Sequence, residues 1–239
     1  MSIYKAESIE KLIKNNSYAG RGIIIGKSRN SENAVFAYFI MGRSENSRNR
    51  IFEETADGIK TKAFDESRLK DPSLIIYSPV KRTEKEIIIT NGDQTDTVYD
   101  FLIKGKTFEE ALETREFEPD APNFTPRISG LMSFFENDFG YKMSILKSID
   151  EKGSGCARYT FSYPSVSGLG HFIHTYNCDG NPLPTFTGEP ERVIIPDDID
   201  EFKDEIWNNL NEDNRISLYL EYINLKTKER EKRLINKNK

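Results

Sequence analysis

The chain has 239 residues, a formal net charge of −5 and no apolar run near the roughly 20 residues that cross a bilayer, so a membrane partner is excluded. A chain this long can bury about 70% of the surface its unfolded form exposes, enough for one cored domain. With 34 basic residues against 39 acidic ones the surface as a whole does not recruit nucleic acid, and Cys156 and Cys178 are too few for a disulfide framework and too far apart for a metal knuckle.

The opening segment MSIYKAESIEKLIKNN has no uninterrupted apolar stretch of the signal-peptide kind, which points to a cytoplasmic protein. Residues 9–14 read as a short amphipathic stretch ahead of a glycine-rich turn at 18–22. Residues 22–26 and 34–41 are β-branched and aromatic and read as paired strands, and shorter apolar runs follow at 74–77 and 86–90. Their unbroken apolar character implies strands covered on both faces. Val98, Phe101 and Leu102 then recur at helical spacing, and Thr107 with Glu110 forms a capping box. Further strands are predicted at 141–149, 157–163, 170–177 and 193–195. Residues 199–234 read as two helices, with Ile199, Phe202, Ile206 and Leu210 on one stripe, Ile216, Leu220 and Ile223 on the other, and a break at 211–214. The basic run at 226–239 reads as the solvated end of the second helix. Blocks of strands broken by helices indicate an α+β layered domain with mainly antiparallel sheets.

Three polar segments can carry chemistry. Residues 42–50, GRSENSRNR, place three guanidiniums directly after a strand, which suits a phosphate or a solvated basic hairpin. Residues 90–96, TNGDQTD, are a turn crowded with amides and carboxylates, or simply a turn whose Asp or Thr caps the next helix. In residues 118–128, EPDAPNFTPRI, three prolines hold two carboxylates, an amide, a hydroxyl and a guanidinium, either as a preorganised site or as a structural connection. His171 and His174 stand at odd spacing on opposite faces of one strand, so a shared metal is not expected. Phe172, Tyr176 and Phe186 read as core, and no phosphate-loop or dinucleotide fingerprint is present.

Taken together, YAGRG at 18–22, AYFIMGRSENSRNR at 37–50, TNGDQTD at 90–96 and EPDAPNFTPRI at 118–128 resemble the IMP cyclohydrolase family first recognised in archaea, and GNPLPTFTGEP at 180–190 is similar to its bacterial relatives. The resemblance implies a four-layer αββα sandwich of the N-terminal nucleophile hydrolase type. It divides the chain into an extension at 1–17, a core domain at 18–198 and a C-terminal helical appendage at 199–239. Those hydrolases attack with the first residue of the mature chain. Ser2 lies well ahead of the first strand here and is a poor candidate. The implied reaction closes the ring of a formamido purine ribotide to give inosine monophosphate and water, with no cofactor and no metal, in a homo-oligomer. Arg21, Arg43, Ser44 and Arg50 would hold the phosphate, and Asn49, Asn91, Gly92 and Asn123 the ribose or carboxamide. Thr125 and Arg127 would complete the pocket, Glu118 or Asp120 would shuttle a proton, and Tyr77 would polarise the formyl oxygen. An amide hydrolase on the same fold and a purine-nucleotide-binding module without catalysis are the alternatives.

Overall fold

The computed structural model describes residues 4–68 and 76–238. Helix α1 (Ile9–Ile13) precedes the hairpin β1 (Arg21–Lys27) and β2 (Asn33–Met41), and a single turn, α2 (Glu45–Arg48), leads into β3 (Arg50–Thr55), β4 (Gly58–Ala63), β5 (Val80–Arg82) and β6 (Glu86–Thr90). Helices α3 (Gln94–Ile103) and α4 (Phe108–Glu113) precede β7 (Arg127–Phe135), β8 (Asp138–Ser148) and β9 (Cys156–Pro164). The chain continues through β10 (Leu169–His174), β11 (Glu191–Ile194), α5 (Ile199–Trp207), β12 (Arg215–Asn224) and β13 (Arg230–Asn236). One sheet has the order β11-β10-β1-β2-β12-β13, and the other runs β3 to β9 in chain order. All strand pairs within both sheets are antiparallel.

Side chains alternate across a strand, so a strand covered on both faces tends to an unbroken apolar run rather than an alternating one. Strand β1 does this: Ile23 and Ile25 join Phe36, Tyr38, Ile89, Ile128 and Met143 in the core between the sheets, whereas Ile24 meets Ile9, Ile13, Phe202 and Ile206 on the outer face. A third cluster seats Val98, Phe108, Ala111 and Leu112 on Ile88, Leu131 and Leu146 of the second sheet. Helices therefore lie on the outside of both sheets, a layered α+β arrangement compatible with a sandwich. The Thr107–Glu110 capping box is present, with each residue's backbone N–H bonded to the other's side chain at 2.8 and 3.1 Å.

Two expectations need correction. The second C-terminal helix is a strand: β12 lies inside the first sheet between β2 and edge strand β13, and every residue from Ile216 to Ile223 is buried. A fully covered strand offers apolar residues at every spacing, so a helical stripe can be picked out of it; the aromatic and β-branched content was the better guide. The basic run at 226–239 accordingly holds the turn after β12 and edge strand β13, not a frayed helix. The strand expected at 74–77 is also absent where it can be seen. Leu74 and Ile75, like Ser2, lie outside the described residues, while Ile76 and Tyr77 precede β5 in irregular backbone.

Candidate functional site

A cavity of about 280 Å³ opens where the start of β1 and the ends of β2 and β10 meet α2 and the proline-braced loop after α4. Gly20 makes the corner possible. Its φ is +77°, and a Cβ there would fall 2.1 Å from Thr175 Oγ1 and 2.6 Å from the Tyr176 ring. The close approach lets the Arg21 N–H donate to Thr175 Oγ1 at 3.1 Å and stacks Tyr18 on Tyr176 with centroids 5.8 Å apart. Arg43 lies 5.0 Å over the Tyr18 ring, pairs with Asp179 and donates to the Gly180 carbonyl at 2.9 Å.

The floor is cationic. Arg50 is 1% exposed and donates from Nε to the Ser47 carbonyl at 2.8 Å, yet its Nη2 has no partner among the described residues, and neither do Arg21 Nε or Asn46 Oδ1. Burial, and then the Arg21 guanidinium, lower the Arg50 pKa. Ser44 caps α2 by accepting the Ser47 N–H at 3.1 Å, which turns the segment back on itself and points it at the cavity.

The opposite wall is acidic. Glu118 is 6% exposed, and burial pushes its carboxyl up despite the pull of Arg21 and Arg127 in the other direction. Among the described residues its carboxylate accepts no hydrogen bond, while its backbone N–H donates to the Thr125 carbonyl at 2.9 Å. Asp120 differs: Oδ1 accepts the Thr125 N–H at 2.6 Å and Oδ2 the Thr125 hydroxyl at 2.5 Å. With that proton committed, the Tyr176 hydroxyl donates to Thr125 Oγ1 at 2.6 Å. Asn123 Oδ1 accepts the Leu183 N–H at 3.1 Å and so ties this loop to the one after β10.

Arg21, Arg43, Ser44, Arg50, Glu118, Asp120, Asn123 and Thr125 thus line one cavity, and Asn49, Tyr77, Asn91, Gly92 and Arg127 do not. Asn49 exchanges two hydrogen bonds with the Asp65 backbone, at 2.7 and 2.8 Å. Asn91 is a clamp: it donates to Pro126 O at 2.8 Å and accepts from Ile128 N at 2.9 Å and Gln94 Nε2 at 3.0 Å. Gly92 clears the way for Arg127, whose Nη1 would lie 2.4 Å from a Cβ there. Arg127 in turn donates to Gln94 at 2.8 Å and pairs with Asp93 at 2.7 Å, behind Glu118. Asp93 stands at the N-cap of α3 without a capping bond, its carboxylate being held by Arg115 and Arg127. Tyr77 is buried, with its hydroxyl 2.8 Å from that of Tyr38.

Tyr18, Asn46, Ser47, Tyr176 and Leu183 line the cavity without having been singled out for it. Tyr18, Asn46, Ser47 and Leu183 lie inside segments the sequence did mark, but Tyr176 reads as core because its ring belongs to the outer apolar cluster while its hydroxyl bonds Thr125 in the site. His171 meets Tyr141 of the second sheet at 2.7 Å, while His174 stacks on Phe172 and reaches Glu191 at 3.2 Å. Among the described residues no three His, Cys, Asp or Glu side chains are grouped to hold a metal ion.

Residues 18–229 match the model of a family described as IMP cyclohydrolase-like protein, a span that runs from Tyr18 in the cavity wall to the turn after β12. Comparison with curated proteins returned no match.

Proposed function

The chain belongs to the IMP cyclohydrolase-like family, and from that premise we propose that its cavity closes the second ring of a purine ribotide. The substrate would be 5-formamidoimidazole-4-carboxamide ribotide and the products inosine monophosphate and water. The observation that supports this most is the union, in one cavity, of two guanidiniums, buried Arg50 and half-buried Arg21, each with a buried N–H that has no partner among the described residues, and one buried carboxyl without a hydrogen bond. Cations with buried orphan donors call for an anion, and a 5′-phosphate satisfies Arg21, Arg50 and the Ser44 hydroxyl together.

Ring closure is intramolecular. The carboxamide nitrogen attacks the formyl carbon, a C–N bond forms, and the adduct loses its hydroxyl as water. One hydrogen of that water comes from the carboxamide nitrogen and the other from the formamide nitrogen. The enzyme's principal task is to hold the rotated conformer that brings nitrogen and carbon together, an orientation effect that can supply about 7 kcal/mol. Glu118 is the carboxylate for the proton shuttle, because Asp120 is spent on Thr125 whereas burial raises the Glu118 pKa and leaves its carboxyl free to take up and return a proton. Arg21, between phosphate and carboxyl, is suited to polarise the formyl oxygen, and Tyr77 acts from behind it as a positioning residue. Two sheets with helices outside them support a four-layer αββα sandwich of the N-terminal nucleophile hydrolase type. A cytoplasmic homo-oligomer without a cofactor is the setting such a biosynthetic step fits.

The test is direct. Purified protein is incubated with the formamido ribotide and the ultraviolet spectrum followed for inosine monophosphate. Formation no faster than without protein would sink the assignment, and binding of the product without turnover would leave a nucleotide-binding module in its place.

A further inference from the structure

A second cavity of about 100 Å³ lies where the turn between β3 and β4 meets β5, β12 and β13, and it shares no lining residue with the first. At its base is Glu221, an acid in the middle of β12 that is 1% exposed. Glu221 Oε2 is satisfied by the Tyr219 hydroxyl at 2.6 Å and Arg82 Nη2 at 2.5 Å. Its Oε1 accepts no hydrogen bond, with Arg230 Nε 4.0 Å away, and the buried Nε of Arg82 likewise has no partner among the described residues. Lys232, also on the wall, is paired with Glu54. Three cations therefore face two carboxylates.

The two orphans have opposite sense. Oε1 needs a donor and Arg82 Nε needs an acceptor, while Arg230 and Lys232, each about half exposed, add positive charge at the mouth that favours an anion. Water meets the first two needs and leaves the third. Sulfate meets the last two, but it carries no proton at neutral pH and would set an oxyanion lone pair against a buried carboxylate. Hydrogen phosphate meets all three: its P–OH donates to Oε1 while its other oxygens accept from Arg82, Arg230 and Lys232. We propose that this cavity is a second anion site, selective for a protonated phosphate over sulfate, and that it bridges β5 of one sheet to β12 and β13 of the other. The inference is independent of the reaction assigned to the first cavity.

Crystals of the full chain at pH 6.5 are soaked separately in inorganic phosphate, sulfate and ribose 5-phosphate, with calorimetric titrations of the same three probes in solution. Phosphate, and not sulfate, is expected between Arg82 and Glu221. Entry of the ion alone marks free phosphate as the source, and entry of the sugar phosphate marks a phosphomonoester. Arg230→Met, a change at a half-exposed position, is expected to weaken phosphate at this cavity about tenfold and to leave any phosphate beside Arg50 in place. Glu221→Gln removes the charge but keeps the shape, and it is expected to abolish the preference for phosphate over sulfate. Water alone in all three soaks, equal occupancy by phosphate and sulfate in the unaltered protein, or occupancy indifferent to Arg230→Met would each overturn the proposal.

Discussion

Arg21, at the start of β1, and Arg50, at the start of β3, bring guanidiniums from two different sheets into one cavity, and Arg21 helps to depress the Arg50 pKa. Like charges held together out of water destabilise a fold unless an anion lies between them. Arg50→Met keeps the stem of the side chain and removes that repulsion at the cost of one bond to Ser47. The variant is expected to melt no lower than the unaltered protein in anion-free buffer. It should also lose most of the rise in Tm that inosine monophosphate gives, a rise worth about 2.7 kcal/mol when ligand is at 100 times its Kd. Differential scanning calorimetry with and without the nucleotide reads both. A large fall in Tm without ligand would show that Arg50 is structural.

Glu118 supplies a prediction in pH. Burial raises its folded-state pKa above the ordinary 4.5, so the folded protein holds this proton more tightly than the unfolded chain does. The stabilisation is complete below about pH 4.5 and is lost as pH rises through the elevated folded value. Gln does not titrate. The Tm difference between Glu118→Gln and the unaltered protein is therefore expected to shift in favour of the variant from pH 4 to pH 8. In the same variant kcat should fall by about 10² to 10⁴ with a much smaller change in KM, as for loss of a general acid–base. A Tm difference flat across that range would mean that the carboxyl is not buried in solution.

The sequence disclosed the cavity through its segments better than through single residues. Arg43, Arg50 and Glu118 stand in segments marked by composition, a run of guanidiniums after a strand and a proline-braced acidic loop, whereas Arg21 was named only through the family resemblance. Asn91 and Gly92 were legible as important but not as what they are, since an amide turned inward to hold backbone groups leaves the same trace as one turned outward to hold a ligand. The first hairpin and the β6 strand were readable from β-branched runs. Strand β12 was not, because a central strand covered on both faces loses the alternation that distinguishes it from a buried helix. Strand β7 was missed for a related reason. It begins at Arg127, inside the polar segment, and its Ser129 and Gly130 dilute the apolar signal although both are buried.

The clamp role of Asn91 can be separated from a ligand role. Asn91→Ala leaves the Ile128 N–H and the Pro126 carbonyl without partners in a buried place, and each such group costs about 1 to 3 kcal/mol. Chemical denaturation is expected to show a loss of about 2 to 4 kcal/mol on that basis. KM for the ribotide, measured at a temperature where the variant is still folded, should change by less than about threefold, which is under 1 kcal/mol. A large rise in KM with little loss of stability would return Asn91 to the binding site.

Gly20 tests whether the cavity depends on the corner before β1. At φ +77° any side chain is strained, by about 1 to 2 kcal/mol, and here a Cβ would also press against Thr175 Oγ1 and the Tyr176 ring. Thr175 belongs to the sheet end, accepts the Arg21 N–H and donates to the Ala19 carbonyl at 3.2 Å. Both neighbours are therefore displaced: a shift of Thr175 Oγ1 breaks its bonds to the Arg21 N–H and the Ala19 carbonyl, and a shift of Tyr176 breaks the bond to Thr125 that keeps Asp120 and the acidic loop in place. Gly20→Ala is therefore expected to lower kcat/KM by more than about tenfold while the protein stays folded, since the displacement falls on groups facing the ligand. Tyr176→Phe in the unaltered background removes the same bond without the steric push. The glycine variant should be the worse of the two. If both were equally impaired, the hydrogen bond alone would account for the loss, and the backbone corner would have no separate part in shaping the cavity.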